Sequence, residues 1–211
     1  MAHPQSWPPK EGLRSMVVPR ENVVLPIYAS TTIQAPASYV YEVLLDAAKY
    51  GDWNQFCPKV EIEGSNNDGN NNDGKLHLGT VFTFMVVMDE KKKDSYTPTR
   101  LKISDLSTPD QPSTYVPTDL LQNDPAFTAD LQQVYRIAWH GEGGFVSKGL
   151  KSERFHEIIL TGENECEVRT WECQGGMLAK TVKWMYGKTL MAKFQLWCDD
   201  LKAHCEKTAG Q

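Results

Sequence analysis

Apolar residues recur at spacings of three and four in two stretches of this chain and alternate in the stretches between them. In the first, residues 37–48, Val40, Val43, Leu44 and Ala47 fit the i, i+3, i+4, i+7 stripe of a half-buried helix. A β-prone run, residues 27–33, precedes it, and Pro36 stands in the first turn, where the missing amide would have been unpaired anyway. The second stretch, residues 179–206, spans roughly 40 Å as one helix. Its stripe of Val182, Met185, Tyr186, Leu190, Phe194, Trp197, Leu201 and Cys205 is opposed by Lys183, Lys188, Asp199, Asp200 and Lys202, so it needs a large apolar surface to lie on. Gly187 within it marks a bend or a close contact.

Between the two helices the period changes to two. Residues 80–88 and 98–106 read as strands joined by a charged turn at 89–94, with Phe82, Phe84 and Val86 on one face. Alternation is cleanest over 133–142: Tyr135, Ile137 and Trp139 point one way, and Arg136, Ala138 and His140 the other, which predicts one buried and one wet face. Residues 152–160 and 166–173 flank Gly162-Glu163-Asn164, a hairpin signal. If Thr161 faces Glu165, then Arg154 lies opposite Glu172, His156 opposite Thr170 and Ile158 opposite Val168, all on one face. The other face carries Glu153, Glu157, Glu167 and Arg169, a polar majority that turns Arg154 and His156 inward, although Phe155 and Trp171 argue the reverse.

Three segments break the pattern. Residues 1–26 form an extended or disordered arm, rich in proline and polar residues. An Asn-rich loop at 64–75 buries nothing, and an insertion at about 108–130, with four prolines before Ala129, is too irregular for a strand and reads as a lid. The rest, 27–207, is one domain.

Composition narrows the function. The chain has 211 residues, a net charge of −5 and lysines and arginines spread among acids, so no basic stripe invites nucleic acid. Its cysteines, Cys57, Cys166, Cys173, Cys198 and Cys205, are odd in number and widely spaced with no C-x-x-C pair; they read as reduced thiols of a cytoplasmic protein and not as metal ligands. The longest apolar stretch is far too short to span a bilayer, so no integral membrane segment is expected. No glycine-rich phosphate loop, metal cluster or nucleophile triad is present, and no cofactor is expected. His77, His140 and His204 read as surface residues, and Lys91-Lys92-Lys93 as a solvated turn.

The order strand, short helix, antiparallel strands, long terminal helix resembles the START and polyketide-cyclase-like (SRPBCC) superfamily, in its birch-pollen-allergen type. The resemblance is carried by Ile33-Gln34-Ala35-Pro36 with Val43-Leu44-Leu45-Asp46 and Trp53-Asn54, by Ser152-Glu153-Arg154, by Glu172 with Gly175-Gly176-Met177-Leu178-Ala179, and by residues 194–201. It implies an α+β helix-grip fold: a curved antiparallel sheet of about six to seven strands wrapped around the C-terminal helix, with a cavity for hydrophobic ligands between them. The implied wall is Phe82, Phe84, Tyr135, Ile137, Trp139, His156 and Ile158 from the sheet and Met185 and Phe194 from the helix, with Trp53 near the mouth. A histidine at 156 departs from the apolar residue common there among relatives.

In that setting Arg154, His156, Thr170 and Glu172 form a polar cluster. An imidazole in an apolar cavity is suited to proton transfer near neutral pH, and an arginine beside it to holding an enolate or phenolate. The expected function is cofactor-independent cyclisation, dehydration or isomerisation of a polyketide-like or aromatic substrate, with His156 as proton shuttle, Arg154 as oxyanion partner and Glu172 beside them. The alternatives are that Arg154 and Glu172 form a structural ion pair with His156 a satisfied wall residue, and that the protein carries a lipid, quinone or sterol unchanged.

Overall fold

The computed structural model describes residues 7–63, 73–89, 91–92, 95–143 and 149–210. The Asn-rich loop falls largely outside the described residues, as does part of the charged turn at 89–94. Seven strands, β1 (Leu25–Ile33), β2 (Lys59–Ile62), β3 (Val81–Val86), β4 (Thr97–Ser107), β5 (Val134–Gly141), β6 (Lys151–Gly162) and β7 (Glu165–Gly175), form one sheet. Its order is β1-β7-β6-β5-β4-β3-β2, antiparallel throughout. Two short helices, α1 (Ala37–Leu45) and α2 (Tyr50–Trp53), follow β1, α3 (Thr118–Asn123) lies in the insertion, and α4 (Ala179–Thr208) ends the chain.

The hairpin register follows the alternation. Arg154 pairs with Glu172, His156 with Thr170 and Ile158 with Val168; a bulge at the tip sets Gly162, not Thr161, opposite Glu165. The concave face of the sheet packs on α1 and the C-terminal half of α4 through a core that includes Ile27, Ile33, Leu44, Ile137, Ile158, Val168, Trp197 and Leu201.

Over β5, β6 and β7 the convex face is not wet. Ala138, Phe155, Trp171 and Cys173 are covered by Leu13 and Val18 of the N-terminal arm and by Val116, Leu121, Ala126 and Phe127 of the insertion, which form a second apolar layer. From residue 7 onward the arm is therefore packed, not disordered, and the insertion backs the sheet instead of serving as a lid over the concave side. Buried acids fasten both. Glu153 accepts hydrogen bonds from the amides of Met16 (2.7 Å) and Val17 (2.9 Å) and from the Tyr115 hydroxyl. Glu157 pairs with Arg136 at 2.7 Å, both side chains essentially inaccessible to solvent, and accepts from the Thr128 amide and hydroxyl. Arg20 of the arm reaches Asp124 of the insertion, and the Trp171 indole donates to the Arg14 carbonyl. Polar residues on this part of the convex face thus signal anchoring and not exposure, because Glu153 and Glu157 each meet donors that offset the cost of removing a carboxylate from water.

Where the sheet meets α4, the imidazole of His156 lies between Trp139 (ring centroids 4.3 Å apart) and Trp197 (4.7 Å). It is fully buried, and neither ring nitrogen has a hydrogen-bond partner. Burial, and secondarily the charge of Arg154, hold its pKa well below 6.5, so it is a neutral ring in an aromatic stack. The five cysteines are free and buried.

Two outcomes are expected. Glu157→Ala leaves the Arg136 charge buried and unpaired, and should cost about 3–5 kcal/mol in urea unfolding; a loss below about 1 kcal/mol would show that the pair does not hold the outer layer. For His156 the folded pKa lies below the unfolded one, so stability is unaffected above about pH 6.5. It then declines as pH falls, because the unfolded chain takes up a proton that the folded one refuses, by up to about 1.4 kcal/mol per pH unit. The difference in unfolding free energy between the native protein and His156→Phe, followed from pH 7.5 to 5, should show that slope; a flat difference would mean that His156 is protonated in the fold.

Candidate functional site

Successive cross-strand rows of the concave face divide into packed core and open space. The rows Tyr135, Ile158, Val168 and Ile137, His156, Thr170 are closed over. The next row, Trp139, Arg154 and Glu172, bounds a cavity of about 560 Å³, and Ser152 with Gln174 continues its wall. Phe84, Val86 and Leu101 line it from β3 and β4; Val182, Tyr186, Leu190 and Phe194 line it from α4; and Phe56 and Cys57 line it from the loop after α2. The loop is set by Asn54, whose side-chain oxygen accepts from the Cys57 amide at 2.7 Å. The curvature of the sheet opens this end, while at the other α1 fills the space, with Tyr41 against Tyr135 at 5.2 Å between ring centroids.

The cavity is mainly apolar, with a polar group at its inner end. Arg154 is 4% exposed, and its guanidinium carbon lies 3.9 Å from the ring centroid of Phe194 and 4.6 Å from that of Trp197. Nε donates to the Thr170 hydroxyl at 2.9 Å, and Nη2 is buried without a hydrogen-bond partner. Among the described residues its charge rests on aromatic faces and not on a carboxylate in contact, an arrangement stabilised by the ring quadrupoles. Glu172, half-buried, accepts from Gln174 Nε2 at 2.6 Å. Burial raises its carboxyl above the ordinary glutamate value, against the opposing pull of the Gln174 hydrogen bond and the Arg154 charge. The Gln174 side-chain oxygen is also buried without a partner. Burial pushes the Cys57 thiol up to about 12, so it stays a neutral wall group.

The cavity thus brings together Phe84, Trp139, Arg154, Glu172 and Phe194 of the residues expected from sequence. Thr170 is buried and holds Arg154 from below. His156 does not reach the cavity: Trp139 and Trp197 sandwich it, and its depressed pKa and sealed nitrogens correct its assignment as a proton shuttle. Phe82, Ile137 and Ile158 are fully buried core residues: Ile137 and Ile158 lie one and two rows deeper than Arg154, whereas Phe82 pairs with the cavity-lining Leu101 and is covered by Phe84 and Trp139. Tyr135 packs on α1, and Trp53 packs on Tyr50 and Trp197, supporting the fold. Met185 is 52% exposed, because the first half of α4 overhangs the cavity and only one line of its side chains faces inward.

Sequence reasoning missed Gln174, Phe56 and Cys57. Gln174 was within reach, since it stands two residues beyond Glu172 and shares its face. Phe56 and Cys57 lie on an irregular loop where no periodicity announces a direction.

No protein-family profile matches the chain. It is 28% identical over 204 residues, 92% of this chain and 93% of the relative, to oxopyrrolidines biosynthesis cluster protein O of Penicillium oxalicum. Among solved structures it is similar to the Zhui aromatase/cyclase of Streptomyces sp. R1128, with a TM-score of 0.56 and 12% identity over 86% of this chain and 93% of that one. It is also similar to a norcoclaurine synthase point mutant of Thalictrum flavum in complex with a transition-state analogue, with a TM-score of 0.51 and 16% identity over 86% and 94% of the two chains. With seven antiparallel strands curved around a long C-terminal helix, the chain has the α+β helix-grip fold of these solved structures.

Proposed function

We propose that the protein binds a polyketide-like or aromatic small molecule in this cavity and catalyses its cofactor-independent cyclisation, dehydration or isomerisation. The observation that carries the reading is the unpartnered Nη2 of Arg154, beside the carboxyl of Glu172, at the inner end of a mainly apolar cavity. A buried donor without a partner costs stability, and an oxygen of the substrate relieves that cost. Similarity to an aromatase/cyclase fold and to a biosynthesis-cluster protein supports the same class.

In a dehydration, Glu172 as carboxylate removes the proton α to a carbonyl. The resulting enolate oxygen is held by Arg154. Glu172 then returns the proton to the hydroxyl leaving the β-carbon, so that water departs and the carboxylate is restored. Its raised pKa makes it a stronger base than an exposed glutamate. Gln174 orients it, and His156 and Thr170 support the aromatic box and the guanidinium from beneath. The second reading, a carrier of a lipid, quinone or sterol, draws on the apolar lining alone.

The test has two arms. Native mass spectrometry of protein purified from its own organism identifies the bound molecule, and a panel of β-hydroxy poly-β-ketone thioesters is then assayed by mass of product. Glu172→Gln should lower turnover about 10²–10⁴-fold while retaining ligand, and Arg154→Met should lower it about 10²–10³-fold. Unchanged turnover in Glu172→Gln would remove its catalytic role, and a bound species released unaltered would favour the carrier.

The carboxylate is the working form, so the rate should fall as pH drops through a pKa above 4.5, the ordinary glutamate value. That limb should vanish from the residual activity of Glu172→Gln. A limb persisting in the variant would assign it to another group.

A further inference from the structure

The stripe of α4 that reads as continuous in sequence splits in the fold. Val182, Tyr186 and Leu190 turn to the cavity, while Trp184, two positions from Val182 and so about 200° around the helix, faces out and is 85% exposed. Met177, just before the helix, is also 85% exposed, and Met185 52%. Lys180 and Lys188 stand one turn before and one turn after Trp184 on the same line, and Lys183 is exposed beside it, its ammonium donating to the Val24 carbonyl at 3.0 Å. From Cys173 to Cys198 the chain carries four lysines and no aspartate or glutamate, against a net charge of −5 for the whole. Lys193, the fourth, is buried and takes no part in this surface.

We propose that the outer face of the first half of α4 docks on a lipid bilayer bearing anionic headgroups. Three large apolar side chains left in water beside lysines of one sign ask for a partner that is apolar within and negative at its surface. A bilayer boundary offers both: indole rings settle at the headgroup level, methionines enter the acyl region, and lysine stems lie along apolar surface while their ammonium groups stay with the phosphates. An acidic protein fits less well, since lysine is depleted at protein interfaces and arginine enriched, and this face has no arginine from 173 to 198. Docking would set one wall of the cavity against the medium in which a hydrophobic ligand is most soluble. The proposal concerns a surface, and stands independently of the chemistry assigned to the cavity.

Flotation of the full chain with vesicles tests it. Binding is expected to phosphatidylcholine vesicles containing 30 mol% phosphatidylserine in about 0.1 M salt, and to fall steeply in about 0.5 M salt, where surface charge is screened. Vesicles of phosphatidylcholine alone should bind far less. Each lysine replaced by glutamate should weaken binding roughly fivefold or more, and the triple change Lys180→Glu, Lys183→Glu, Lys188→Glu should abolish it. Trp184→Ala should weaken it roughly tenfold, the scale of losing the interfacial indole. All four positions are exposed, so thermal unfolding of the Lys180, Lys188 and Trp184 variants should be unchanged, while Lys183→Glu also loses its bond to the Val24 carbonyl; the unfolding curves separate lost docking from lost folding. Absence of binding to anionic vesicles, or binding indifferent to Trp184→Ala, would overturn the proposal. A dimer by sedimentation that Trp184→Ala converts to monomer would also overturn it, assigning the face to a second copy of the chain.

Discussion

A guanidinium resting on aromatic rings marks where this protein stops being solid and becomes hollow. Arg154 is held by Phe194 and Trp197 of α4, by Trp139 of the neighbouring strand and by the hydroxyl of Thr170 beneath. One row deeper, His156 closes the stack between the two tryptophans. A charge cannot be pushed further into the core without a counterion, and aromatic faces can stabilise it only at close range. The sheet therefore packs tightly up to this row and opens beyond it, and the position of the cavity follows from where the charge can be tolerated.

A second set of buried charges governs the other side of the sheet. Glu153 and Glu157 alternate with Arg154 and His156 along β6, so a single strand supplies the cavity with one set of polar groups and the outer layer with another. The two sets differ in completeness. The carboxylates of Glu153 and Glu157 collect backbone amides, hydroxyls and an arginine, as structural anchors do, whereas the inner guanidinium keeps a nitrogen without a partner.

The concave architecture was legible because its signals are local. The stripe of α1, the alternation of β5 and the turn between β6 and β7 each depend on a few neighbouring residues, and together they fix the pairing of Arg154 with Glu172. The convex layer was not legible, because the partners that bury Glu153 lie 136 and 137 residues away along the chain. Nothing near Glu153 or Arg136 distinguishes an anchored charge from a solvated one. Within the site, periodicity placed His156, Phe82 and Ile158 on the correct face, yet how far each lies from the opening depends on the curvature of the sheet and on α1. A period of two encodes neither.

The two-sided burial of β5, β6 and β7 also bears on how such a chain can change over evolutionary time. Positions such as Ala138, Phe155 and Trp171 answer to the arm and the insertion, and their neighbours on each strand answer to the core or the cavity. These central strands thus offer few sites where a substitution goes unfelt. Novelty is channelled instead to the rim, where β4 begins, β5 ends and α4 enters, because there a changed side chain meets ligand or solvent before it meets a packed neighbour. A fold fastened on both sides of its sheet can keep its walls fixed while its mouth diversifies.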